Sequence, residues 1–368
     1  MTTIYLHVGA PKTGTTALQY FLYDNRTVLE QHGICYPDFA FGFPGIPDNR
    51  NGHFLVHRVL DEHRHRVREK EKEIFDVGFR KLEELVGQYD QILLSEETLW
   101  NDREMQTKKY EKIRNACEKI GAKLQIIVYL RRQDLVLPSY WGQLVKSRLA
   151  MSFSEFLASG KYQQYRLDYA KHLQMLEDVV GRENIIVRPY EKQQYQGAQK
   201  SIFSDFLAIF GLELSEEFSI KIEARNQRLD KRSLDLKAVF NQNAAYHEKK
   251  SFLVELMGEM PKQERDGEEQ YYDSRTQREF LSQYEAGNEQ VARRYLGRKD
   301  GRLFCAPLPE GDYQETVYSD RELLLYCSEL FVFQEQRCKK KDVQLPVIVE
   351  EKKGIKKILK KIKKRLAK

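Results

Sequence analysis

The stretch IYLHVGAPKTGTTALQYFL, residues 4–22, decides the fold. Ile4–Val8 is an apolar run of strand length, Gly9 and Gly14 frame a short loop, and Leu18, Phe21 and Leu22 then recur at helical spacing. A tight loop between a strand and a helix turns successive backbone N–H groups and the positive helix end toward one point, which is how a fold binds phosphate or a similar oxyanion. Lys12, Thr15 and Thr16 add a charge and two hydroxyls. The layout departs from the nucleotide-binding pattern G-x-x-x-x-G-K-[ST], because Thr15 follows Gly14 and the lysine lies inside the loop. A magnesium–ATP site would lack its phosphate-reaching lysine.

Outward from this stretch, four runs read as strands: Thr3–Val8, Gln91–Leu94, Leu124–Leu130 and Asn184–Arg188. Helical patterns separate them at Thr16–Gln31, Phe75–Tyr89, Arg103–Ile120, Leu135–Ser147 and Tyr165–Val180. Strands alternating with helices predict an α/β fold, a P-loop-like parallel sheet flanked by helices. Residues 1–225 would form this core. Residues 226–340, with helical patterns at Ser201–Phe210 just before them and at Lys231–Leu256, Arg275–Leu296 and Asp320–Lys339, would be a helical extension of the same domain, and 341–368 a linker and a basic amphipathic tail. Residues 37–73 carry three prolines and the charge-dense HRHRVREKEKE; they read as too polar for core, either a substrate-side insertion or a mobile surface segment. His57, His63 and His65 there read as a solvated charged helix. The ligand crevice of an open α/β sheet lies at the carboxyl ends of its strands, and that edge gathers the first loop, Ser95-Glu96-Glu97, Arg131 and Arg188-Pro189-Tyr190.

A lysine inside a P-K-T-G-T-T loop resembles the 5′-phosphosulfate loop of the sulfotransferases that use 3′-phosphoadenosine 5′-phosphosulfate (PAPS). The resemblance implies that Lys12, Thr13, Gly14, Thr15 and Thr16 hold the 5′-phosphate and sulfonate, with Lys12 on the bridging oxygen of the leaving group. It also implies that Arg131 at the end of the third strand, and Ser139 eight residues on, bind the 3′-phosphate. The likeness to bacterial carbohydrate sulfotransferases extends over residues 4–210 and implies a carbohydrate or glycolipid acceptor. Asn226 and Arg228 are further candidates to reach the nucleotide.

Sulfonate transfer to a hydroxyl needs a base, and the resemblance implies a His or a Glu. Glu96 takes the chain-order place of the base in cytosolic members. His53, in Asn51-Gly52-His53, competes because an imidazole titrates near working pH without help. Glu97 is a third candidate. No His/Cys cluster has ligand spacing, so no metal is expected.

Of 368 residues, 41% are hydrophobic and 32% charged, which fits a globular chain and excludes collagen-like or wholly disordered ones. No apolar run reaches the ~20 residues that span a bilayer and no secretory leader is visible, so a cytoplasmic protein is expected. The five scattered cysteines, Cys35, Cys117, Cys305, Cys327 and Cys338, read as reduced thiols. The net charge is +6, yet residues 352–368 hold ten Lys/Arg and no acid, which leaves −4 on residues 1–351. That disfavours nucleic acid as a partner of the body. In the tail, Ile355, Ile358, Leu359, Ile362 and Leu366 fall on one helical face, as in a peptide that lies on an anionic membrane surface, so attachment at the inner membrane face is expected. Two other functions compete: a P-loop kinase or NTPase, and a non-catalytic membrane-surface adaptor that binds nucleotide.

Overall fold

The computed structural model describes residues 1–101, 106–221, 229–246, 250–261 and 269–344. Five parallel strands form one sheet: β1 (Thr3–His7), β2 (Ile34–Cys35), β3 (Gln91–Ser95), β4 (Lys123–Leu130) and β5 (Ile185–Pro189). Their order is β2-β3-β1-β4-β5, with His7 in register with Ser95 on one side and Ile127 on the other. The chain leaves β1 toward β3 and β2 but leaves β4 toward β5, so the connections diverge beside β1, the place at which open α/β sheets bind their ligands.

Side-chain alternation builds two apolar layers. Leu6, Ile92, Leu94, Ile126 and Val128 face one, and Leu93, Ile127 and Tyr129 the other, all buried. Each such aliphatic side chain contributes about 1.5–3 kcal/mol. The helices are α1 (Thr15–Asp24), α2 (Arg26–Gln31), α3 (Arg68–Leu85), α4 (Thr98–Asn101), α5 (Gln106–Lys119), α6 (Gln133–Ser147), α7 (Phe153–Ala158), α8 (Tyr169–Val180), α9 (Ile202–Ala208), α10 (Lys231–Phe240), α11 (Lys250–Glu259), α12 (Ser274–Ser282), α13 (Glu285–Leu296) and α14 (Asp320–Gln344). Leu18, Leu22, Phe206 and Leu207 cover one layer, and Phe79, Leu82, Ile113, Leu173 and Leu176 the other.

Several expected elements change. The helix over Thr16–Gln31 breaks at Asn25, whose amide donates to Phe21 O at 2.8 Å and Ser219 O at 2.9 Å. Lys231–Leu256 and Arg275–Leu296 each resolve into two helices. The helix α7 was not read from the sequence, although Ser152 and Glu155 form a capping box at its start.

The reading of residues 37–73 as too polar for core is overturned. Phe39, Phe54, Leu55 and Val56 are buried in the same cluster as the sheet. Asn51 clips this segment to β3: its amide donates to Leu93 O at 3.0 Å and its carbonyl accepts from Ser95 N at 2.9 Å. Tyr36 OH donates to Asn49 O at 2.6 Å. The charged helix expected at His57–His65 is also absent. The Asp61 carboxylate accepts from the backbone N–H of His63 and His65, at 2.9 and 2.7 Å, and so stabilises a turn in place of a helix.

The chain divides into two compact units. One comprises Met1–Val145, Met151–Asn226 and Glu268–Thr316, with the sheet and, through Arg294 paired with Glu177, α13 on α8. The other comprises Lys146–Ala150, Gln227–Gly267 and Val317–Lys368. In it Ser233 and Tyr326 share a 2.7 Å hydrogen bond between α10 and α14. The basic tail at 352–368, most of the linker, and Asn226 and Arg228 lie outside the described residues. Among the described residues, no helix is long and apolar enough to cross a membrane.

Candidate functional site

Beyond the last paired residue of β1 the chain keeps its hold on β4, with Val8 N donating to Ile127 O at 3.0 Å and Ala10 N to Tyr129 O at 3.2 Å. It then turns sharply. Gly9, Lys12 and Gly14 all have positive φ, at 37°, 73° and 75°. A methyl group on Gly9 would stand 2.5 Å from the Thr15 Cγ2, and one on Gly14 would stand 3.1 Å from the Tyr190 ring, so both positions require glycine. Lys12 holds the same left-handed conformation with a side chain, at a cost of about 1–3 kcal/mol. The Thr13 hydroxyl donates to Ala10 O and closes the loop. Gly14 then caps the start of α1, which puts the first N–H groups and the positive end of the helix dipole at this loop.

Two sequence-derived positions converge on this loop. Arg131, the first residue after β4, donates through Nη1 to Lys12 O at 3.2 Å and to Ser139 Oγ on α6 at 3.4 Å. Tyr169 OH donates to Arg131 O at 2.6 Å and fixes the strand end. The Arg131 guanidinium stands 5.8 Å from the centre of the Tyr190 ring. Burial, above all, draws the Lys12 pKa below the ordinary lysine value; the Glu97 charge opposes this and the Arg131 charge adds to it. Lys12, Arg131, the Ser139 hydroxyl and the start of α1 thus gather around this loop, and Thr16 is exposed.

The carboxylates after β3 divide. Glu97 accepts from the Thr15 hydroxyl and so touches the loop. Glu96 turns away and is fully buried. Its Oε1 accepts from Arg50 Nη2, from the Thr98 hydroxyl and from Thr98 N, the last at 2.8 Å. Its Oε2 lies 3.0 Å from His53 Nδ1. Burial alone would raise the Glu96 pKa, but the His53 hydrogen bond, the Arg50 charge and Thr98 hold it below the ordinary value. An ionised carboxylate so engaged fixes its neighbours. His53, by contrast, keeps Nε2 directed away from Glu96, 3.3 Å from His57 Nδ1, with the Phe43 ring packed against both imidazoles.

Arg50, His57, Glu97 in contact with Thr15, and Tyr190 under Gly14 complete a site of which the sequence offered only part. Tyr190 was visible as a strand-end residue, whereas the Arg50 partnership spans 46 positions and has no local signal. Among the described residues, no group of three or more His, Cys, Asp or Glu is placed to hold a metal ion.

No family model matches the chain. A protein of Archaeoglobus fulgidus, described only as uncharacterized, is 27% identical over 176 residues, which is 48% of this chain and 47% of that one. The chain therefore spans about half the length of the relative it matches, and the likeness carries no activity with it.

Proposed function

We propose that this chain transfers a sulfonate group from PAPS to a hydroxyl of a carbohydrate or glycolipid, as its resemblance to PAPS-dependent sulfotransferases implies. The observation that carries the proposal is the reach of Arg131 to both the Lys12 carbonyl and Ser139, which joins the end of β4 and α6 to the loop after β1. A donor with phosphate at both the 5′ and the 3′ positions needs two anion sites side by side. The loop with the α1 start supplies one, and Arg131 with Ser139 the other.

In this reading the acceptor oxygen forms a bond to sulfur as the bridging S–O bond breaks, and charge develops on the departing 5′-phosphate. Lys12 stabilises that charge, and its burial strengthens the interaction. His53 takes the acceptor proton at Nε2, the acceptor hydroxyl replacing the His57 Nδ1 contact there. With Nδ1–H donated to Glu96, the imidazole has a fixed tautomer and orientation, so Glu96 is the positioning residue and His53 the base.

A second reading has one observation in its favour. The Thr15 hydroxyl bound to Glu97 puts a loop hydroxyl and a carboxylate together, a pair that could hold magnesium in an ATP-using kinase. Thermal-shift and calorimetric titrations separate the two. Stabilisation by 3′-phosphoadenosine 5′-phosphate (PAP) without metal, greater than by AMP or ATP, supports sulfonate transfer; magnesium-dependent stabilisation by ATP alone supports the kinase.

A further inference from the structure

We infer that a cationic cavity beside His53 binds the anionic part of the acceptor, so that the substrate is a saccharide that already carries phosphate, sulfate or carboxylate groups. The inference rests on the sulfonate-transfer reading of the neighbouring site. The cavity has a volume of about 560 Å³, within the range of small-molecule sites. Its charged lining is Arg66 just before α3, Arg68 and Lys72 at the start of α3, and Lys108, Lys109 and Lys112 on α5. Against these six cations stands one lining carboxylate, Glu71, which accepts two hydrogen bonds from Arg66 Nε, at 2.8 and 2.9 Å, and one from Val59 N at 3.2 Å.

This concentration runs against the surroundings, since residues 1–351 as a whole carry −4. Arg68 and Lys72 are four residues apart on α3, as are Lys108 and Lys112 on α5, and like charges at that spacing destabilise a helix. Two helices thus line one cavity with charges that repel. The Lys112 ammonium lies over the Phe75 ring, 3.5 Å from its centre, and desolvation there together with the Lys72 and Lys109 charges lowers its pKa, with Asp76 and Glu71 opposing. An anion in the cavity would relieve this repulsion; a neutral saccharide would not. The wall toward the site is Phe54–His57, and His57 touches His53. An acceptor whose anionic group occupies the cavity would therefore extend toward the His53 imidazole.

Sucrose octasulfate is a compact probe, with sucrose as its neutral counterpart, both titrated calorimetrically into the full chain in the presence of saturating PAP. The octasulfate should bind and sucrose should not. Lys72→Glu with Lys112→Glu should weaken octasulfate binding about tenfold or more, the loss expected for removing charged hydrogen bonds. Lys356→Glu with Lys357→Glu in the tail should leave it nearly unchanged, and PAP affinity should be the same in all three proteins. Equal losses in the two double variants, or normal binding by the Lys72/Lys112 variant, would overturn the inference. So would tighter binding of a short single-stranded DNA through the same two lysines. Failure of the unaltered chain to bind PAP would instead overturn the sulfonate-transfer reading, while the octasulfate titration still decides whether the cavity is an anion site.

Discussion

His53 Nδ1 lies 3.0 Å from Oε2 of Glu96, and no surface of that carboxylate meets solvent. On the sulfonate-transfer proposal, the pair makes Glu96 the anchor and His53 the base. His53→Asn should lower turnover by ~10²–10⁴ while PAP affinity persists. Glu96→Gln should cost less, because the amide oxygen can still accept from Nδ1–H but orients the ring less firmly; melting curves check that loss of the Arg50 ion pair has not unfolded the protein. A dead Glu96→Gln beside a nearly normal His53→Asn would reverse the two roles.

Lys12 and Arg131 should separate in kind. Lys12→Met retains length without charge, so it should lower kcat by ~10²–10³ with a small effect on PAP binding. Arg131→Ala should weaken PAP by about 10–150-fold and AMP far less, since only PAP carries the 3′-phosphate. Equal losses for the two nucleotides would remove Arg131 from that task.

Folding should carry a pH signature from His7, beneath the loop. Burial pushes its pKa down to about 3, its Nδ1 meets Ser95 Oγ at 3.0 Å, and its Nε2 has no hydrogen-bond partner among the described residues. Between about 6.5 and 3 the unfolded chain takes up a proton that the folded one refuses, so this contribution is complete above pH ~6.5 and is lost as pH falls through that window. One such group changes stability by about 1.4 kcal/mol per pH unit. Urea titrations of His7→Gln should show a slope against pH that is shallower by about one proton. His172, also lowered to about 3 by burial, supplies a similar slope that remains in the variant.

Deleting residues 352–368 should abolish binding to anionic liposomes and leave turnover of a soluble acceptor unchanged. Ten cations at about 1 kcal/mol each near such a surface suffice for reversible attachment even when only some engage. Equal liposome binding by the two proteins would exclude the tail as the anchor.

The sheet was legible where a strand is a long apolar run or opens on a glycine-framed loop, as at β4 and β1. The strand β2 was not, because two residues, Ile34 and Cys35, give no period to read. The segment around Asn51 was misread for a different reason. A side-chain amide, in place of a strand ladder, holds it, and Phe39 and Phe54 enter the core without helical or alternating spacing. Arg131 and Ser139 were paired with the loop by resemblance, and the structure brings their side chains to 3.4 Å because α6 starts two residues after Arg131. The enclosure of Glu96 was not, since Arg50 and His53 reach it from 46 and 43 positions away.

The Asn51 clip has a consequence for how the protein can change. The loop after β1, Glu97 and Arg131 follow strand ends, where any shift would disturb the sheet, whereas His53 sits in a loop segment that Asn51 and Gly52 tie to β3. Of residues 40–48, Phe41 and Phe43 pack on Phe54 and on the two imidazoles, so variation is best tolerated at Gly45–Asp48, between them and the pin. On the sulfonate-transfer proposal, exchange of those residues between related chains would change the acceptor and leave PAP binding intact, and Asn51→Ala should lower turnover while PAP affinity is kept.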